Sequence, residues 1–334
     1  MNQQKQFISS VPVLNEKGEP NPGWANAGIL TYDRKAIKAP FYRIKEWDWY
    51  QINNDHLALQ FTYGHASYAG QVGVMLFDFI KGQPIFTKDL ILPLPFSSMH
   101  LAENAEKDHL LRYEKKGVTL IIETKNHIRS IFYRFEDFSA EITMKPLHPY
   151  SLVINIPFDE KPKAFYYNQK INCMQAQGKV VYQKKEYLFD HQAWGLLDWG
   201  RGVWPFSNQW YWSNASGLVD NQLFGFNLGC GFGNTSTATE NALFYDNAIH
   251  KLGTVRFSLG ETYTDPWHLT DDQGRLDLTL TPTYDRETKI KLLWVDNNTH
   301  QMFGHFNGTV TLDNGQVLEV KNLVGFAEHA INNW

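Results

Sequence analysis

The sequence predicts an all-β protein of two tandem antiparallel barrels or sandwiches. Three observations predict it. Apolar residues recur at every second position, turn residues separate the apolar runs, and helical periodicity is scarce. Asn53-Asn54-Asp55 separates the strand-like Trp49–Ile52 from His56–Phe61. Leu101–Leu110 reads equally as a short helix with a thin apolar face or as a polar loop. In Phe138–Lys145 the even positions are apolar and the odd ones polar, the pattern of a strand with one wet and one dry face. Leu276–Thr281 repeats it after the turn sequence Asp271-Asp272-Gln273-Gly274. Asn314-Gly315, between Thr309–Leu312 and Val317–Val320, is the strongest hairpin signal. The pattern gives roughly sixteen to twenty strands, enough for two such units.

The 334 residues suit two domains. Val153–Phe158 is an apolar strand, Asp159–Lys163 is loop-like, Tyr166–Gly178 is polar and irregular, and alternation resumes near Val180. The expected division is therefore residues 1–170 and 171–334. The halves also suggest an internal duplication. Asp48-Trp49 is followed by Ser67 and then Gly73–Leu76, while Asp198-Trp199 is followed by Ser216 and then Gly225–Leu228.

Composition excludes several functions. A net charge of −4 offers no basic field for a nucleic acid backbone. The two cysteines, Cys173 and Cys230, cannot by themselves build a disulfide framework or a zinc site. Gly229-Cys230-Gly231-Phe232-Gly233 lacks the spacing of a dinucleotide loop, and neither a zinc-protease helix motif nor a nucleophile elbow occurs. No metal and no cofactor are expected. The longest apolar runs, around Val72–Ile80 and Tyr150–Phe158, fall short of the roughly 18–20 residues that span a bilayer. No signal-peptide core opens the chain, so the expected location is the cytoplasm.

Aromatic residues stand out at 15% of the chain, with 11 Trp. Five of these fall within residues 194–212: Trp194, Trp199, Trp204, Trp210 and Trp212. Gly200 and Gly202 flank Arg201 and permit a sharp bend or a close approach, and Pro205 places the segment at an edge, bulge or loop. Trp210, Trp212 and Asn214 share strand parity and so one face. Indoles beside an amide suit an apolar ligand with a polar handle. The favoured reading of the same tryptophans is that they fill a barrel core or a joint between domains. Asp198 poses a parallel choice. In an apolar pocket its carboxyl would serve as a proton donor. With Arg201 three residues away, a structural ion pair is the favoured reading. Glu240, Asp246, His268 and Glu328 lie beside aromatic or Gly-rich sequence, where a lone titratable residue reads more often as surface or capping.

Several blocks together resemble a known family. They are Gly23-Trp24, Glu46-Trp47-Asp48-Trp49-Tyr50, Asp198-Trp199-Gly200-Arg201-Gly202-x-Trp204-Pro205, Trp210-x-Trp212-x-x-Ala215-Ser216-Gly217, Asn227-Leu228-Gly229, Glu240-Asn241-Ala242 and Pro266-Trp267. Over nearly the whole chain they resemble the uncharacterised proteins of domain of unknown function 2804, a likeness that implies no activity. More distantly, Trp194-Gly195 and the Asp198-Trp199 neighbourhood are similar to blocks of the two-barrel calycin-like, or lipocalin-like, proteins. These include carotenoid hydratases, tocopherol cyclases and some pericyclases, and the likeness implies paired lipocalin-like β-barrels around an apolar polyene or polyketide. The chain departs from the hydratase pattern, since Asp198 is followed by Trp199 rather than His, which puts that chemistry in doubt.

The leading functional expectation is binding or conversion of an apolar or amphipathic small molecule within a lipocalin-like barrel. The candidate catalytic residues are Asp198, Arg201 and Glu240. The candidate ligand contacts are Trp199, Trp204, Trp210, Trp212, Asn214, Asn227, Trp267 and His268. As an acid, Asp198 would protonate an alkene or enol and start hydration, isomerisation or cyclisation, with indole faces stabilising the cation. Two alternatives stand beside it: a glycan-directed protein using Asp198 and Glu240 across an aromatic cleft, and an interaction module without ligand. The sequence leaves open whether the protein is an enzyme.

Overall fold

The computed structural model describes residues 4–93, 99–292 and 295–333. The first part of the chain carries β1 (Val11–Pro12), β2 (Gly23–Ala25), β3 (Leu30–Thr31), β4 (Ile44–Asn53), β5 (Leu57–His65), β6 (Ala69–Asp78) and β7 (Gln83–Pro93). It continues with β8 (His109–Lys115), β9 (Val118–Lys125), β10 (Ile128–Phe135), β11 (Phe138–Pro146), β12 (Leu152–Phe158), β13 (Lys161–Tyr182) and β14 (Lys185–Val203). The second part carries β15 (Ser207–Val219), β16 (Gln222–Cys230), β17 (Ala242–Tyr245), β18 (Ala248–Lys251), β19 (Val255–Ser258), β20 (Trp267–Asp271), β21 (Leu276–Leu292), β22 (Val295–Thr311) and β23 (Val317–Asn333). The protein is all-β: two short 3-10 turns are the only helical elements among the described residues. None of these is long and apolar enough to cross a membrane.

Local chemistry sets the turns. The Asn54 side-chain oxygen accepts from the backbone N–H of His56 and Leu57, closing the β4–β5 hairpin. Asp271 caps the turn before β21 in the same way, through Arg275 and Leu276. Alternation reads directly as burial in β11, where Phe138, Ala140, Ile142 and Met144 face inward. Leu101–Leu110 resolves as a loop running into β8, with no helix.

Two curled sheets result. The first runs β7-β6-β5-β4-β14-β13-β11-β10-β9-β8, with β12 on β13 and β2 on β12. The second runs β18-β17-β16-β15-β23-β22-β21-β20-β19. Curling brings Phe86 of β7 onto Phe138 of β11, with ring centroids 4.2 Å apart. In the second sheet Phe226 of β16 meets Phe306 of β22 at 5.0 Å. Each sheet thus encloses its own apolar interior, and together they form two tandem barrels.

The sheets part between Val203 and Ser207. Residues 170 and 171, on either side of the expected division, are consecutive positions of β13. The polar, irregular-looking stretch 166–178 lies in that central strand. It loses its alternation because both of its faces are buried and one of them carries polar work. Bulges between Ile171 and Met174 and between Ala176 and Gly178 add to the irregularity.

Connectivity repeats between the sheets. In each, the first long strand pairs with the last (β4 with β14, β15 with β23), and hairpins lead away on either side. The sequence matches that suggested duplication do not carry this repeat. Asp48-Trp49 and Asp198-Trp199 lie on neighbouring strands of one sheet, with Trp49 opposite Asp198 and Asp48 opposite Trp199. The counterpart of β4 is β15.

The outer faces of the sheets pack against each other. Trp49, Phe77, Leu196, Trp212, Phe303 and Phe326 form one apolar cluster there. Trp24, Ile154, Tyr166, Trp204, Phe232 and Phe244 belong to a second. Each such side chain contributes about 1.5–3 kcal/mol when fully buried, so this joint is held as a core is held.

Candidate functional site in the joint between the sheets

Period two assigns the faces. On β4, Ile44, Tyr50 and Ile52 point into the first barrel, while Lys45, Trp47 and Trp49 point toward the second sheet. On β14, Leu197 and Trp199 point inward and Leu196 and Asp198 point outward. On β15, Trp210 and Trp212 face back across the joint. Between these faces lies a cavity of about 950 Å³. Five indoles wall it: Trp47, Trp49, Trp204, Trp210 and Trp212, joined by Tyr166 and Phe232. Trp49 meets Trp212 edge-on at 5.4 Å, and Trp204 meets Trp47 at 5.0 Å and Phe232 at 4.8 Å.

Three lining residues turn carboxyl groups to the joint, Asp198, Glu240 and Glu328; a fourth, Glu46, has the parity of Ile44 and turns its carboxyl to Tyr32 and Arg201. Asp198 accepts from the Trp47 indole N–H at 3.0 Å, the Asn168 amide at 2.6 Å and the Lys170 ammonium at 2.7 Å. The Lys170 Nζ also lies 3.8 Å from Glu240 and 4.0 Å from the centroid of Trp212, so it stands between the two carboxylates. Burial pushes the Glu240 carboxyl above the usual range, and the Lys170 charge opposes the shift. Glu328, on β23, accepts from the Trp210 indole at 2.8 Å and the Gln301 amide at 3.2 Å. Burial raises it to about 7, against the Trp210 hydrogen bond and the Arg286 charge and with help from Asp198. Glu46 lies at the opposite end. Burial would raise it, but hydrogen bonds from His65 and Tyr32 and the charges of Arg201 and Arg34 hold it down at about 2.

The backbone is shaped for these groups. A Cβ at Gly200 would overlap the Trp47 ring, and one at Gly229 would overlap the Glu240 carboxyl. Both glycines are places where a site side chain lies flat on a strand.

The structure brings some of the expected residues together and separates others. Asp198, Glu240, Trp204, Trp210 and Trp212 line the cavity. Asn227 sits behind its wall: its side-chain oxygen accepts from Trp212 at 2.8 Å and from Asn214 at 3.2 Å, and its amide donates to the Glu240 carbonyl at 2.7 Å. Arg201 and Trp199 lie inside the first barrel. The expected Asp198–Arg201 pair does not form, because residues three apart on a strand point to opposite faces. Arg201 pairs instead with Asp48 at 3.0 Å, donates to the carbonyls of Trp47, Gly200 and Ala102, and stacks on Trp199 at 3.8 Å. Trp267 is in the second barrel's core, and His268 is exposed beside Asp277 at 2.8 Å. Trp47, Trp49, Tyr166 and Lys170 were not among the candidates. The shared parity of Trp47 and Trp49 was a usable signal, whereas their place beside Asp198 depends on strand register. Among the described residues, no group of three or more His, Cys, Asp and Glu is arranged to hold a metal ion.

The fold has counterparts among solved structures. A candidate AttH protein from Nitrosomonas europaea matches with a TM-score of 0.53 and 14% identity, over 86% of this chain and 92% of its own. Kievitone hydratase from Nectria haematococca matches with a TM-score of 0.51 and 9% identity, over 92% of this chain and 97% of its own. At these identities the likeness is one of fold. No functionally curated protein matches the chain in sequence. The family model for the domain of unknown function DUF2804 matches residues 4–334, and the chain belongs to that family.

Proposed function

We propose that the cavity between the sheets binds an apolar small molecule carrying a carbon–carbon double bond and converts it by proton transfer. The observation that carries this reading is the combination of about 950 Å³ of space, five indole walls and buried carboxyl groups. Apolar walls with a few convergent polar groups are what such ligands need. Indole faces also stabilise the cation that protonation creates, and Lys170 over Trp212 is a built-in instance. The site lies between the barrels rather than within either one. The likeness of fold to a hydratase is compatible with this chemistry. The position of Lys170 favours this reading over a glycan-directed one, because its ammonium occupies the space between Asp198 and Glu240 that a glycosidic bond would need.

Retinol serves as an apolar polyene probe. The purified protein should quench or enhance its fluorescence saturably. Trp212→Ala should weaken binding about tenfold or more, the effect of losing an aromatic wall. Trp199→Ala, inside the first barrel, should leave it within about twofold. Equal losses in both variants, or no binding by the wild-type protein, would overturn the reading.

A further inference from the structure

Asp198 was the residue that local sequence put forward as the acid, and its surroundings argue otherwise. Each of its hydrogen-bond partners is a donor: Trp47, Asn168 and the Lys170 ammonium. Both of its oxygens are thereby occupied, and one of them is in direct ion contact with the Lys170 ammonium. Glu240 shares the same lysine at 3.8 Å. Glu46 has Arg34, Arg201 and His65 within ion-pair distance. Among the described residues no cation reaches ion-pair distance of Glu328, whose partners are the neutral indole of Trp210 and the neutral amide of Gln301.

The Gln301 amide is itself fixed. Its carbonyl accepts from Gln60 at 2.9 Å, and the Gln60 carbonyl accepts from Arg286 at 2.6 Å. Arg286 therefore orients Glu328 through two amides, without neutralising it directly. The charged groups facing Glu328 from the packed strands are Arg286 on β21, Asp198 on β14 and Lys170 on β13. Of the two cations, Lys170 is committed to Asp198.

We propose that Glu328 holds the transferable proton of this cavity and delivers it to an electron-rich double bond, while Asp198, fixed by Lys170, Asn168 and Trp47, is the counter-charge to the cation formed. This rests on the function proposed above and assigns its parts. The Glu328 O–H bond breaks and a C–H bond forms from the π pair, leaving a cation on the neighbouring carbon and a carboxylate at Glu328. In isomerisation an adjacent C–H proton returns to Glu328. In hydration water adds to the cation and gives its surplus proton to Glu328. Either route restores the acid without any other reactant.

Two measurements on the full chain test the assignment. The first is an NMR pH titration of protein labelled at glutamate carboxyl carbons. A glutamate signal should titrate near neutrality, disappear in Glu328→Gln and persist in Glu240→Gln. Survival of that signal in Glu328→Gln, or its loss in Glu240→Gln, overturns the proposal. The absence of any neutral-range glutamate signal in the wild-type protein overturns it too, and that outcome depends on no variant folding. The second follows hydrolysis of methoxycyclohexene, an enol ether whose slow step is carbon protonation. Glu328→Gln should slow it about a hundredfold. An unchanged rate, or no wild-type rate above buffer, overturns the donor role. Retinol binding by the wild-type protein separates these failures from failure of the cavity reading itself.

Discussion

Trp47 lies flat on Gly200 and donates its indole N–H to Asp198, two residues away on the same strand face. One ring thus walls the cavity, covers a glycine and anchors a carboxylate. Gly200→Ala places a methyl where the ring sits. Overpacking of this kind costs about 1–3 kcal/mol. A melting temperature several degrees lower is expected, together with weaker retinol binding because the wall has moved. Unchanged melting would show that the ring adjusts freely.

Lys170 is the ion-pair partner of Asp198, and its removal leaves that carboxyl buried without a counter-charge. Lys170→Met should cost about 3–5 kcal/mol. Adding Asp198→Asn to it should recover a large part, since two neutral residues need no counter-charge. Denaturant unfolding of both single variants and the double variant measures the coupling. Simple additivity would mean that the pair does not act as one.

Glu328 gives stability a pH dependence of known sign. Its ordinary value is 4.5, and in the folded protein it is raised to about 7. Between these values the folded state holds more protons than the unfolded one, so its contribution to stability falls as pH rises through that window and is level beyond it. Glu328→Gln should remove the fall. The two proteins should unfold alike near pH 4 and differ by about 3 kcal/mol above pH 7, the variant being the more stable. Parallel curves across the window would contradict the assigned shift.

Arg201 serves the first barrel's interior. Arg201→Met strips Asp48 and three carbonyl groups of their donor, and a loss of about 3–5 kcal/mol is expected. Retinol affinity of the folded fraction should stay within about twofold, because the guanidinium lies on the far face of β14 from the cavity. A specific loss of binding would place Arg201 in the site.

How much of this was legible in the sequence follows from where each signal is stored. Alternation in β11 and β21 is local, because one face of each is dry, and it read correctly. β13 has two buried faces, so Asn168, Lys170 and Asn172 broke the pattern and the strand looked like a linker. The clustered tryptophans mark a segment of which Trp204, Trp210 and Trp212 line the cavity. Period two then sends Trp199 and Arg201 into the first barrel and Asp198 into the joint, a separation that strand parity alone contains. Glu328 carries no such local signal. It reaches the cavity because β23 pairs with β15 and sets it opposite Trp212, more than a hundred residues earlier in the chain. Pairing across that distance is a property of the sheet and is not written in any neighbouring residues.

The central claim is that the ligand site lies between the barrels, and diffraction from crystals soaked in bromonaphthalene tests it most directly. The anomalous signal of the bromine locates an apolar molecule without assumptions about its contacts. The account predicts a peak in the joint, among Trp47, Trp49, Trp210 and Trp212. A peak inside either barrel, with the joint empty, would contradict it.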